Sequence, residues 1–149
     1  MGYYYRESGF KTDALVGWYL HPQSNINRKF VREVNKGLSE GSSREYFITT
    51  AHNAGGFGIG QWYAEKELGE LYDYMQENNH LIDNLKGQCE YTVKSIKENQ
   101  KLQSYLKDAK TADECAKWIA IYYDGASDIG IAVIRELAVE FYDEYAGVN

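Results

Sequence analysis

Asn53-Ala54-Gly55-Gly56-Phe57-Gly58-Ile59-Gly60-Gln61-Trp62 is the stretch on which the reading of this chain turns. Its first eight positions hold four glycines, and each glycine gives up more backbone freedom on ordering than any other residue, so a stable helix is excluded. The segment reads as a loop or a small β-hairpin element. Helical periodicity flanks it on both sides, which predicts a mainly α domain interrupted once by a glycine-built excursion.

On the N-terminal side, Ile26, Phe30, Val34 and Leu38 recur every four residues, and Gly41 ends that helix. Ser42 and Glu45 have the spacing of a capping box, which predicts a short helix through Tyr46 and Phe47. On the C-terminal side the pattern is helical from Trp62 to Met75, with Leu68, Leu71, Tyr72 and Met75 on one face. Leu81, Leu85, Cys89, Thr92 and Ile96 mark the apolar face of the next helix, and Leu102, Tyr105 and Leu106 a shorter one. Thr111 and Glu114 form the clearest capping box, opening a helix expected to bury Cys115, Trp118, Ile119 and Tyr122. Ser127 is placed to cap a last helix through Ile131, Ile134, Ala138 and Phe141. No internal repeat, linker or low-complexity tract is visible.

Composition narrows the function. The 149 residues are 44% hydrophobic and 15% aromatic, enough for a core of their own, and nothing suggests more than one domain. Fourteen Tyr and three Trp pack cores, but aromatic faces also stack on sugar rings. The formal charge of -6 argues against nucleic acid, whose phosphates need a basic surface. No apolar run approaches the roughly 20 residues needed to span a bilayer, so no membrane is expected. The first ten residues are polar and aromatic, unlike a signal peptide, so export would use a holin-type route, a virion or a longer parent protein. Cys89 and Cys115 lack the spacing of a metal site and read as buried free thiols. His21, His52 and His80 have no HExxH-like or cysteine partner, so neither a metal nor any other cofactor is expected; His52 is read as exposed or locally hydrogen-bonded.

The chemistry begins at Arg6-Glu7-Ser8-Gly9-Phe10. Cleaving an acetal between two sugars needs an acid still protonated near neutral pH, hence a carboxyl in a poorly solvated pocket. Tyr3, Tyr4, Tyr5 and Phe10 could desolvate Glu7; against this stands the plain reading of a surface glutamate near a terminus. In the glycine loop, Gly56, Gly58 and Gly60 allow close backbone approach to a ligand, but the spacing is not GxGxxG and no Lys-Ser/Thr pair follows, which excludes a phosphate cradle. Gln61 offers an acceptor and two donors to the N-acetyl and hydroxyl groups of an amino sugar. Trp62 and Tyr63 add stacking faces, although Trp62 serves equally well as a core anchor.

Three segments in this order, Glu7 to Phe10, Gly56 to Trp62, and Thr111-Ala112-Asp113-Glu114 with Ile121-Tyr122-Tyr123-Asp124, resemble the phage tail lysozyme and endolysin domains of the lysozyme-like superfamily. There, a Gly-Asn-Met-x-x-Glu-Ser-Gly-Phe run carries the catalytic glutamate and Gly-Tyr-Gly-x-x-Gln-Trp follows. Lytic transglycosylases share a looser version, and the resemblance runs over essentially the whole chain. It implies a mainly α (α+β lysozyme-like) single domain over residues 1–149. It also implies cleavage of the β-1,4 bond between N-acetylmuramic acid and N-acetylglucosamine in peptidoglycan, with Glu7 as general acid. Gly58, Gln61 and Trp62 would line the substrate cleft, and Tyr123 would hydrogen-bond near the acid or the sugar; a core role for Tyr123 is the alternative. The setting implied is a phage tail or the bacterial cell wall, with peptidoglycan strands as partner.

The chain departs from that pattern in three places. Gly2-Tyr3-Tyr4-Tyr5 stands where Gly-Asn-Met-x is usual, so the domain would lack the family's first helix and be completed by further modules or a partner chain. Asp124-Gly125-Ala126 replaces a common Glu-x-Pro, and the stretch from Lys11 to Asn53 is an insertion. A second catalytic carboxylate decides the mechanism. An inverting enzyme places a base roughly 6.5 to 9.5 Å from the acid and a retaining one a nucleophile at about 5 to 5.5 Å. Asp13 is the nearest in sequence, with an exposed loop aspartate as its alternative, and Asp124 is a weaker second. Two other readings stay open: a transglycosylase that uses one acid and leaves 1,6-anhydro ends, and a non-catalytic wall-binding or structural module.

Overall fold

The computed structural model describes residues 12, 13, 15, 25–124 and 128–145, and they are mainly α-helical, as the periodicity predicts. The elements are α1 (Asn25–Leu38), α2 (Arg44–Asn53), α3 (Glu65–Glu77), α4 (Leu85–Glu98), α5 (Gln100–Leu106), α6 (Ala112–Ile119), a π-helical turn (Ala120–Asp124) and α7 (Asp128–Tyr145). Among the described residues the only β pairing is two isolated antiparallel bridges, Leu15 with Phe57 and Phe57 with Trp62. The chain forms two compact units, and the division falls inside α4, between Thr92 and Val93.

In the unit before that division, α1 ends where Gly41 stands. Gly41 adopts φ 71°, its N–H bonds Leu38 O at 3.1 Å and Ser42 N–H bonds Gly37 O at 3.0 Å, the paired closure of a Schellman motif. This overturns the capping box expected of Ser42 and Glu45. Ser42 is used to close α1, α2 starts at Arg44, and the residue before it, Ser43, makes no side-chain cap bond. Its buried hydroxyl instead donates to Val34 O at 2.6 Å and pairs with the Tyr72 hydroxyl at 2.8 Å, because a buried hydroxyl must find partners where it lies.

The core of this unit is aromatic. Phe47 packs on Phe30, Phe57 and Tyr72 with ring centroids 6.0, 5.2 and 5.8 Å away, above the buried Leu68, Leu71 and Met75 of α3. Phe30, Val34 and Leu38 are buried as predicted, but Ile26, in the first turn of α1, is exposed; Asn27 and Val31 complete the inward stripe. Arg44 grips Asp73 through two bonds of 2.6 and 2.9 Å, tying α2 to α3 across Gly69, where a Cβ would lie 2.6 Å from the guanidinium.

The buried face of α4 is Gly87, Gln88, Tyr91 and Thr92, whereas Leu81, Leu85 and Cys89 are exposed. Thr92 is thus buried as expected and Ile96 half-buried, but at Leu81, Leu85 and Cys89 the expected stripe is off by about one residue. Tyr91 sets the rotation: its ring meets Trp62 at 5.4 Å and Tyr74 at 5.8 Å, a larger burial than Leu85 could supply.

In the other unit, Asn99 caps α5 by accepting from Leu102 N–H at 3.0 Å. Thr111 caps α6 as predicted, accepting from Glu114 N–H at 3.1 Å, while the Glu114 carboxylate reaches Lys110 N–H at 2.7 Å, one residue before the cap. Ala116 of α6 and Ala120 of the π-helical turn pack against Ile134 and Ala138 of α7. Small residues allow the two helices this close approach. Cys115, Trp118, Ile119 and Tyr122, expected to be buried, are consequently half-buried on its flank, where Tyr105 stacks on Trp118 and on Tyr122 at 4.6 Å each. Cys89 and Cys115 are both free thiols, but exposed and half-buried, not buried. Ser127 and the side chains of Ile131 and Phe141 fall outside the described residues.

Candidate functional site

After α2 ends at Asn53 the chain turns back on itself through the glycine loop. Phe57 and Trp62 exchange both backbone hydrogen bonds at 3.1 Å, so residues 58–61 form the tip of a minimal hairpin. The tip is braced twice at one atom: Gly58 O accepts from Gln61 N–H at 3.2 Å and from Gln61 Nε2 at 2.6 Å. Gln61 itself sits at φ 48°, a left-handed conformation uncommon outside glycine and one that concentrates at ligand-binding sites. One of the amide donors expected to face a sugar thus holds the loop together.

Glycine is required here for a reason the sequence only hints at. At Gly58, φ is 74° and a Cβ would lie 2.8 Å from Gln88 Oε1 and 2.9 Å from the Trp62 ring; at Gly60 it would lie 2.6 Å from that ring. The absent side chains make room for an indole beneath the loop. Trp62, expected in the cleft, is only 3% exposed and belongs to no helix, since α3 begins at Glu65. It supports the loop from below and offers no face to a sugar.

The anchor of the loop is a residue the sequence reading passed over. Gln88 is fully buried, accepts from Ile59 N–H at 3.0 Å, and donates to Thr12 O and Ile82 O at 2.8 Å each. One amide therefore joins α4, the glycine loop, the turn before α4, and the segment that follows the Glu7 run. A bridge between Leu15 and Phe57 ties that last segment to the loop a second time. Asp13 lies within it and is half-buried. No spacing rule finds such a glutamine, because its partners are 6, 29 and 76 residues away.

At the exit of the loop, Tyr63 stays 53% exposed. His52 of α2 stacks on its ring at 4.6 Å, and His52 Nδ1 donates to Tyr63 O at 3.0 Å, a carbonyl being able only to accept. The local hydrogen bond expected for His52 is present. Tyr123, in the other unit, lies on the π-helical turn with its hydroxyl 2.8 Å from Ser95 Oγ. Such turns occur disproportionately at functional positions. Glu7 and the side chain of Asp124 lie outside the described residues, and so does any distance from the acid to Asp13.

Among the described residues no cluster of three His, Cys, Asp or Glu could hold a metal ion, and no helix is long and apolar enough to cross a membrane. The sequence pattern of the phage tail lysozyme family matches residues 1–145. The chain belongs to the phage tail lysozyme family. Neither the curated proteins nor the solved structures gave a match. Membership makes this a lysozyme-like module that acts on peptidoglycan, in a phage tail or cell-wall context. In this phage tail lysozyme the glycine loop, braced at its tip and pinned to the segment after the Glu7 run, is the candidate site among the described residues.

Proposed function

We propose that this chain is a muramidase that cuts the β-1,4 bond between N-acetylmuramic acid and N-acetylglucosamine in bacterial peptidoglycan. Glu7 is the proton donor to the leaving oxygen, which asks for a carboxyl kept neutral by poor solvation. Asp13 is the second carboxylate, activating water or attacking the sugar according to its separation from the acid. Gly58 and Gln61 form the lip against which the glycan lies.

The observation that carries this reading is the shared amide of Gln88. It holds Thr12 O and Ile59 N–H at once, so the chain that leaves the Glu7 run is fastened to the glycine loop. Membership of the phage tail lysozyme family supports a peptidoglycan-directed lytic chemistry.

The test is Glu7→Gln assayed by turbidity clearing of purified sacculi. Loss of roughly a hundredfold or more in rate is expected of a general acid. Near-normal clearing by the variant refutes the assignment of Glu7. Mass analysis of the products separates hydrolysis from transglycosylation, since an anhydro end weighs one water less. Binding of sacculi by the wild type without any clearing would mark a non-catalytic module instead.

A further inference from the structure

The proposal that a glycan lies along the glycine loop raises the question of which ring it meets. Gly56, Phe57, Gly58, Ile59, Gly60 and Trp62 are all buried, so the loop itself presents little side chain to a ligand. Gln61 is half-buried and committed in part to Gly58 O. Tyr63 is the next residue out, and it differs from every other ring of the loop in being more than half exposed.

An exposed ring on a loose segment binds poorly, because ordering it on contact costs conformational entropy. Tyr63 is not loose. Its backbone carbonyl is held by His52 Nδ1 at 3.0 Å, and the two rings stack at 4.6 Å with 29° between their planes. His52 lies in the last turn of α2, whose Phe47, Ile48 and Ala51 are buried in the core. The ring is therefore mounted on a helix, immediately beyond a hairpin that is itself pinned by Gln88. An aromatic ring that is rigid, backed and wet combines apolar area with low ordering cost, the properties a pyranose ring needs for stacking through its C–H face.

We infer that Tyr63, backed by His52, is a saccharide-stacking subsite for the peptidoglycan glycan strand; of the two stacking faces the sequence offers, Trp62 and Tyr63, it is the exposed one. The inference rests on the muramidase reading for the identity of the sugar, not for the acid. The hydroxyl of Tyr63 is not needed for it; the ring face is. His52 acts as a positioning residue, holding the ring and its carbonyl.

The experiment measures equilibrium binding of soluble glycan strands freed of their stem peptides, by calorimetry, alongside clearing of sacculi. Tyr63→Ala is expected to weaken binding roughly three- to tenfold, the range of one aromatic contact, and to raise KM with kcat little changed. Tyr63→Phe and Tyr63→Trp are expected to bind as the wild type does. His52→Ala should fall between, with Tyr63→Phe in that background giving no further loss. Because the ring is exposed, Tyr63→Ala should melt within a few degrees of the wild type, which separates lost contact from lost fold. Unchanged binding by Tyr63→Ala overturns the subsite and leaves the Glu7 assignment standing. Equal weakening by Tyr63→Ala and Tyr63→Phe also overturns it, since the hydroxyl would then be the contact. Weakened binding by Tyr63→Ala, together with full clearing by Glu7→Gln, would keep the subsite and remove the acid.

Discussion

Replacing Gln88 tests whether one buried amide holds the glycine loop in place. In Gln88→Ala three hydrogen bonds vanish together, those to Ile59 N–H, Thr12 O and Ile82 O. Each is worth about 1 kcal/mol net, about 3 kcal/mol for the three, and the space left by the amide brings the loss to about 3–5 kcal/mol. Against a total stability of about 5–15 kcal/mol this is a large fraction. At the lower figure the melting temperature should fall by roughly 6–12 °C. Thermal and urea unfolding followed by far-ultraviolet circular dichroism measure the loss, and hydrogen exchange at the Ile59 amide reports whether the loop has come free. Gln88→Glu sharpens the test, because its shape is conserved but its ionised form would face two carbonyls. The folded state then prefers the protonated acid, so its folded pKa lies above the unfolded value of about 4.3. By linkage the variant is closest to wild type below that value and loses stability as pH rises toward neutrality. A loss under about 1 kcal/mol in Gln88→Ala, or an Ile59 amide still as protected as in the wild type, would refute the anchoring argument.

Gly58→Ala should cost at least about 2 kcal/mol, from a left-handed backbone and a Cβ 2.8 Å from Gln88 Oε1, while Gly41→Ala, at φ 71° but with its nearest contact at 3.4 Å, should cost only about 1 kcal/mol. Equal thermal shifts for the two would mean that crowding at Gly58 is not felt. Asp113 accepts two bonds from Arg135, which hold its carboxyl below the usual carboxylate range. A carboxylate with a depressed folded pKa stabilises above its unfolded value and loses that contribution as pH falls through the folded one, so Asp113→Asn should be the less stable protein at pH 7 and converge on wild type below about pH 4. A stability gap that does not change with pH would show that the pair contributes nothing through charge.

Much of the fold is legible because helices advertise themselves locally. The stripes of α1 and α3, the Schellman glycine at Gly41 and the Thr111 cap depend on residues within a few positions of one another. The errors arise where two local signals compete. Ser42 could cap α2 or close α1, and the second won because Ser43 is needed in the core between Val34 and Tyr72. Leu81 and Leu85 look like a helix face, yet Tyr91 has the larger ring to bury and turns α4 its own way.

The candidate site divides along the same line. Four glycines in eight positions announce a loop wherever the chain carries them, since backbone entropy is a property of each residue alone. The three ordered motifs likewise suffice for the family. Tertiary structure alone decided that Trp62 goes under the loop while Tyr63 stays exposed against His52, and that Gln88 holds both the loop and the Thr12 segment. Those choices follow from packing and from pairing buried polar groups, and both depend on what arrives from distant parts of the chain.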